Sequence, residues 1–178
     1  MFYTNGYRMV SNILEADLIC FTGGADVTPS YYGEVKEPET ICDPLRDAQE
    51  ANIFLSNPDV PMVGICRGGQ FLNVMCGGSI YQHVEKHNLG VEGSHIAINL
   101  DGGEEISVSS THHQMMNPSD DAEILMLSYE DIEEVEACYY EEDNVLCFQP
   151  HPEFFVGEHE CKTTFFNFIE EYLFNKED

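Results

Sequence analysis

The run Val63-Gly64-Ile65-Cys66-Arg67-Gly68-Gly69-Gln70 restricts the possible folds of this chain more than any other segment. Pro61 to Ile65 is short and apolar and reads as a buried strand. Gln70 to Cys76 is helical, with Phe71, Leu72, Val74 and Met75 available for a core. Strand therefore passes into helix with almost no loop, and the corner residue is a cysteine with glycine two positions to either side. Such a corner brings helix and strand so close that β-carbons on the flanking residues would collide, which is why glycine is needed there. At the helix N-terminus, Cys66 lies where the helix dipole favours an anion, here a thiolate. The first helical amides, that of Arg67 foremost, face the place where a tetrahedral oxyanion would form. The competing reading is a tight turn holding an inert cysteine, so the rest of the chain has to supply the partners a nucleophile needs.

A thiolate needs a base from elsewhere in the fold. Gln149-Pro150-His151-Pro152-Glu153 directly follows the apolar run Val145 to Phe148. Two prolines fix the backbone around His151 and keep its imidazole out of a regular element. Glu153, two residues on, is placed to hold the far ring nitrogen and select the tautomer. Cys66, His151 and Glu153 are thus the expected catalytic group.

The remaining pattern alternates early and becomes strand-rich later. Leu18 to Phe21 reads as a strand opening at Gly23-Gly24. Ala25 to Pro44 is loop-like, broken by Pro29, Gly33, Pro38 and Pro44. Leu45 to Ser56 predicts a helix burying Ala48, Ala51, Phe54 and Leu55, with Arg46 and Glu50 on the wet side. Further strands are expected at Ser79 to Tyr81, Val91 to Leu100, Ile106 to Ser109, Ile124 to Tyr129, Val135 to Tyr140 and Val145 to Gln149. Lys162 to Phe174 predicts a closing amphipathic helix that buries Phe165, Phe166, Ile169, Tyr172 and Leu173. The order predicts a three-layer α/β domain, one unit spanning residues 1–178.

Asp and Glu number 33 against 7 Lys and Arg, a formal charge of −26. A surface of that sign repels nucleic acids and anionic membranes, leaving solubility, a salt-rich setting or a basic protein partner as its use. The opening residues lack the apolar core of a signal peptide, and no run is long enough to span a membrane. Seven cysteines, odd in number and without a CxxC pair, fit a reducing, cytoplasmic setting. His83 and His87 are four apart, yet neither Glu85 nor His95 completes a compact zinc site in sequence. Neither a metal nor a cofactor is expected.

Gly64 to Val84, GICRGGQFLNVMCGGSIYQHV, resembles the class I glutamine amidotransferase superfamily, most closely the branch of γ-glutamyl-γ-aminobutyrate hydrolases grouped as C26 peptidases. Also similar to that branch are TGGADVTPSYYGE from Thr22 to Glu34, Arg46-Asp47 with Glu50, the segment Ser109-Ser110-Thr111-His112-His113-Gln114, and QPHPE where the branch has QWHPE. These blocks keep the family's order from Leu18 to Phe155. The resemblance implies a flavodoxin-like αβα fold with a mostly parallel sheet and the triad Cys66, His151 and Glu153. It implies oxyanion amides at Gly24 or Ala25 and at Arg67. Gln70 would help hold the glutamyl group, and Thr111, His112, His113 and Gln114 would approach its α-amino and α-carboxylate groups. Asp26, Tyr32 and Arg46 would support the first loop. Two departures stand out: only 22 residues precede Gly23, so the N-terminal part of the sheet is expected to be shortened, and Pro150 replaces a tryptophan.

The expected chemistry is hydrolysis of a small γ-glutamyl amide through a thioester on Cys66. Two other uses of such a chain are a glutaminase subunit passing ammonia to a separate synthetase, and a non-catalytic scaffold. A synthetase or a second copy of the chain is the expected protein partner.

Overall fold

The structure, a computed structural model, describes residues 1–85, 87–90, 93–130 and 134–175. Strand β1 (Ile19–Phe21) is followed by helix α1 (Pro44–Ser56), strand β2 (Met62–Ile65), helix α2 (Arg67–Met75) and strand β3 (Ser79–Tyr81). Strands β4 (Ser94–Asn99), β5 (Glu105–Ser109), β6 (Met115–Asn117), β7 (Glu123–Ser128), β8 (Val135–Tyr140) and β9 (Val145–Phe148) then precede helix α3 (Glu160–Phe168). The chain continues from α3 in wider π-type turns through Ile169–Phe174. These strands form one sheet ordered β1-β2-β9-β8-β7-β4-β5, with β6 bridging β3 and β8.

Alternation along the central strands explains the layers. On β2, Val63 and Ile65 face the same side as Leu146 and Phe148 of β9, where Phe165, Phe166, Phe168 and Ile169 cover them. Met62 of β2, with Val145 and Cys147 of β9, faces the opposite side and meets Phe71, Leu72 and Val74 of α2. Helices therefore cover both faces, the expected αβα arrangement. The sheet itself is mixed: β1–β2 and β2–β9 are parallel, whereas β8–β9, β7–β8, β4–β7 and β4–β5 are antiparallel. The mostly parallel sheet implied by the resemblance is thus confined to three strands. Hairpin connections explain this, since Asn144 at φ 55° allows the tight β8–β9 turn.

Ahead of β1, the N-terminal residues form short 3-10 turns at Phe2–Asn5 and Ile13–Glu15. Phe2 packs edge-on against Phe166 with ring centres 5.5 Å apart, and the Tyr7 hydroxyl donates to Glu170 at 2.7 Å. Among the described residues β1 pairs only with β2 and forms that edge of the sheet.

Helix α1 begins one residue earlier than expected, because Pro44 occupies the first helical position behind Asp43, which accepts from the Arg46 amide at 3.2 Å. Its inward stripe also differs from the apolar one. Asp47 is buried, Glu50, Ala51 and Phe54 are half-buried, and Ala48 and Leu55 are exposed. Two carboxylates point inward because a buried guanidinium awaits them, as described below. Strand β6 was not expected from the sequence; three residues with no alternation leave no strand signature.

Helix α2 approaches the sheet closely. A β-carbon on Gly64 would lie 2.4 Å from the Gly68 backbone, and one on Gly68 would lie 2.2 Å from the Phe21 carbonyl oxygen. Both neighbours are backbone and have no side chain to swing aside. Gly68→Ala is therefore expected to lower unfolding free energy by about 2–4 kcal/mol, read as a reduced denaturation midpoint in urea.

Candidate active site

Cys66 stands between β2 and α2 with φ 53° and ψ −116°, outside the regions open to ordinary L-residues. Such a conformation costs on the order of 1–3 kcal/mol and survives only where the surroundings over-determine it. Here the Cys66 amide donates to the Phe148 carbonyl at 2.8 Å, and its carbonyl starts α2 by accepting from Gln70 at 3.0 Å. The sulfur is thus fixed at the C-terminal ends of β2 and β9. The Arg67 amide occupies the first helical position and has no acceptor within the helix.

His151 follows β9 and comes to the same place. Its backbone amide donates to Ser109 Oγ at 2.7 Å, and Nδ1 pairs with Glu153 Oε1 at 2.7 Å. The Cys66 side chain also interacts with the ring and raises its pKa. With Nδ1 committed to Glu153, Nε2 is the nitrogen left for the sulfur. The ring stacks on Phe154 at 4.4 Å and passes so close to Gly23 that a β-carbon there would lie 2.8 Å from Cε1. Burial lowers the His151 pKa, but the bonds to Cys66 and Glu153 outweigh it and raise the value to about 10.

The loop after β1 is held by an ionic cluster. Arg67 is buried and pairs with Asp47 and Glu50 while its Nε donates to the Ala25 carbonyl at 3.1 Å. Asp47 also accepts from the Thr28 amide at 3.0 Å and from the Thr28 hydroxyl. Arg46 pairs with Glu50 at 2.8 Å and donates to the carbonyls of Gly23 at 2.9 Å and Thr22 at 2.7 Å. Gly24 has φ 156°, and a β-carbon on it would lie 2.0 Å from Arg46 Nη1. The guanidinium of Arg67 thereby fixes Ala25, and its own backbone amide opens α2 beside Cys66. One residue ties the loop to the corner. The sequence did mark Arg46, Asp47 and Glu50, but it gave Arg67 only a backbone role; its side chain could not be assigned before α1 and α2 were known to be neighbours.

The other expected site residues lie deeper. Asp26 pairs with the Ile41 backbone, and its Oδ1 meets His113 Nε2 at 3.2 Å, joining the first loop to the His-His-Gln segment. Tyr32 is half-buried against the α2 side of the core. Gln70 is buried, and its Nε2 donates to the Gln114 carbonyl and to Gln149 Oε1, each at 3.0 Å. Gln114 is also buried and donates to Thr40 and to the Gln82 carbonyl. Thr111 and His113 keep partial exposure. His112 is buried against His87, with ring centres 4.9 Å apart, and burial pushes its pKa down to about 4.

That last contact belongs to a group that sequence spacing does not show. In the sequence, His87 has no third donor at metal-ligand spacing, yet the fold brings to it His112 from the segment after β5 and Glu136 from β8. Pairing between strands distant in sequence does this, and no local spacing encodes it. His83 is not on a helical face with His87; its ring lies 6.3 Å from that of His113.

The profile of the Peptidase C26 family matches residues 4–153. A glutamine amidotransferase-like protein of Lactococcus lactis, YvdE, is 32% identical over 158 residues, 77% of this chain and 66% of its own length. Among solved structures, a glutamine amidotransferase from Thermotoga maritima superposes with a TM-score of 0.57 at 21% identity, covering 93% of this chain and 66% of its own. PurLQS from Thermotoga maritima gives a TM-score of 0.60 at 23% identity, covering 88% of this chain and 80% of its own. The two structures share the fold. The chain spans slightly less than two thirds of the Lactococcus protein.

Two measurements check the geometry. Removing Asp47 strands a buried guanidinium, so Asp47→Ala should cost about 3–5 kcal/mol in denaturant unfolding, well beyond a surface substitution. For His151, the folded pKa is raised above the unfolded value, so its pairing adds stability that is complete below about pH 6.5 and is lost as pH rises through about 10. NMR titration should find the ring still protonated above pH 8, and in Cys66→Ala the value should fall by about one unit or more.

Proposed function

The chain belongs to the peptidase C26 family of class I glutamine amidotransferase-like enzymes, and from that premise we propose that it cleaves a γ-glutamyl amide with Cys66 as nucleophile. The observation that carries the reading is the ring of His151, bonded to Glu153 at 2.7 Å and shifted in pKa by its interaction with Cys66 at the strained strand–helix corner.

In this reading the Cys66 thiolate, resting beside the His151 imidazolium, adds to the γ-carbonyl carbon, and the carbonyl electron pair moves onto oxygen. The Arg67 amide and that of Gly24 or Ala25 stabilise this oxyanion. Collapse breaks the C–N bond, and His151 gives its proton to the leaving amine. Neutral His151 then takes a proton from water, whose hydroxide attacks the γ-glutamyl thioester. Loss of the thiolate releases glutamate and restores the ion pair. Glu153 holds the tautomer throughout and stabilises the cationic ring. Arg46, Asp26 and Tyr32 act at one remove by shaping the oxyanion loop. Thr111 and His113, which keep exposure, are the best placed of the expected substrate contacts, while Gln70, His112 and Gln114 support them from behind.

The leaving group is taken to be an amine of a free γ-glutamyl compound, as in the branch the chain resembles, acting as a small cytoplasmic hydrolase. A second reading has some support in the unpaired edge of β1 among the described residues and the exposed Met9 and Leu14 before it. There the chain would be a glutaminase completed by a synthetase.

Glutamate release from γ-glutamyl-aminobutyrate and from glutamine separates the two. The free hydrolase turns over the first and hardly the second. Silence with both, relieved by a co-purifying protein, would favour the glutaminase. Cys66→Ser should lower turnover by about 10³-fold or more and Glu153→Gln by about 10²–10⁴-fold. Undiminished turnover in Cys66→Ser would overturn the nucleophile.

A further inference from the structure

Behind the thiol corner, four strands and loops converge on a polar cluster that the proposed hydrolysis does not use. His87 comes from the segment after β3, His95 from β4, His112 from the segment after β5, and Glu136 from β8. His87 and His112 are each 4% exposed and Glu136 is 0% exposed. Burying polar groups so deeply is costly unless each finds a partner.

The outward atoms of the rings do find partners. His87 Nε2 pairs with Glu134 Oε2 at 2.7 Å, and His95 Nε2 with Glu136 Oε1 at 2.7 Å. His112 Nδ1 lies 3.1 Å from the Gln114 carbonyl oxygen. Each of these partners is a carboxylate or a carbonyl and can only accept, so in the neutral rings the proton belongs on the named nitrogen. The opposite nitrogens then carry lone pairs. They are His87 Nδ1, His95 Nδ1 and His112 Nε2, and each is buried with no partner among the described residues. Glu136 Oε2 is in the same condition. One ligand atom each from His87, His112 and Glu136 falls within 4.8 Å of the others.

Buried acceptors that converge without a donor repel one another, and a cation is the simplest group that satisfies all of them at once. Imidazole nitrogens with one carboxylate oxygen suit a borderline first-row divalent ion rather than calcium or magnesium. The outward hydrogen bonds to Glu134 and the Gln114 carbonyl are the kind that orient metal-binding imidazoles. We propose that His87, His112 and Glu136, with His95 at their side, form a binding site for a divalent ion of the zinc class. A cleft of about 420 Å³ lined in part by His87 and His95 offers a way in.

The site would act as a cross-link beneath the catalytic corner. The Gln114 carbonyl that orients His112 also accepts from Gln70, one turn into α2 from Cys66. The Glu136 carbonyl accepts from the Gln149 amide at 2.8 Å, two residues before His151. An ion here would therefore pin the His-His-Gln segment, β8 and the start of the His151 loop together. This inference does not depend on the proposed hydrolysis.

The test uses the full chain, stripped with chelator, its thiols alkylated, and then equilibrated with zinc chloride or cobalt(II) chloride. Metal analysis after dialysis should give about one equivalent per chain, and the cobalt spectrum should lack thiolate charge transfer. Free zinc at about a hundred times its Kd should raise Tm by roughly 5–10 °C. His87→Gln, on a loop where refolding is least at risk, should weaken binding by at least about ten-fold and abolish the zinc-dependent Tm rise. Glu136→Gln is the second variant, and the wild-type measurement stands even if that one misfolds. Folded wild-type chain that retains less than about a tenth of an equivalent of either ion, or full retention in His87→Gln, would overturn the site.

Discussion

The distance between helix α2 and the sheet is the constraint on which the rest depends. Gly64 and Gly68 let two backbones approach where a β-carbon would lie 2.4 Å or 2.2 Å from the other chain segment. At that separation the chain can pass from β2 into α2 only through one residue, and Cys66 takes the φ of 53° that the passage demands. Strain at the corner is offset by the core on both sides, where Phe71 and Leu72 pack on one face and Phe148 and Phe165 on the other. Packing and the backbone hydrogen bonds of Cys66 thus hold the corner together, and it lies where β9 leads into His151.

Electrostatics then ties the first loop to that corner. In a chain of net charge −26, most carboxylates are solvated, but Asp47 is 0% exposed and lies against an Arg67 that is 1% exposed. A buried ion pair is weak ground for stability, since the cost of desolvation offsets much of the attraction. Its value here is positional. Arg67, Arg46, Asp47, Glu50 and Thr28 together hold the carbonyls of residues 22, 23 and 25. In the proposed reaction, holding these carbonyls would pre-set the Gly24 and Ala25 amides as oxyanion donors.

Local pattern made part of this legible. The GxCxG corner, the proline-flanked His151 with Glu153 two residues on, and the stripe of Phe165, Phe166 and Ile169 in the closing helix are written within a few residues of one another in the chain. Apolar content does not mark the inward face of α1, because Asp47 and Glu50 turn inward to meet Arg67 from another helix. Strand β6 is too short to show a period. The cluster of His87, His112 and Glu136 is assembled by strand pairing over as many as 49 positions, and spacing carries no trace of it. The family resemblance supplied which blocks belong together; the strand order supplied which residues touch.

Trapping the acyl-enzyme tests the central claim most directly. Purified chain mixed with a γ-glutamyl amide, quenched in acid within the first turnovers and digested, should carry one added glutamyl group on the peptide containing Cys66, labile to hydroxylamine. Substrate turnover with the adduct on another cysteine, or with no thioester on Cys66 at any quench time, would contradict the account.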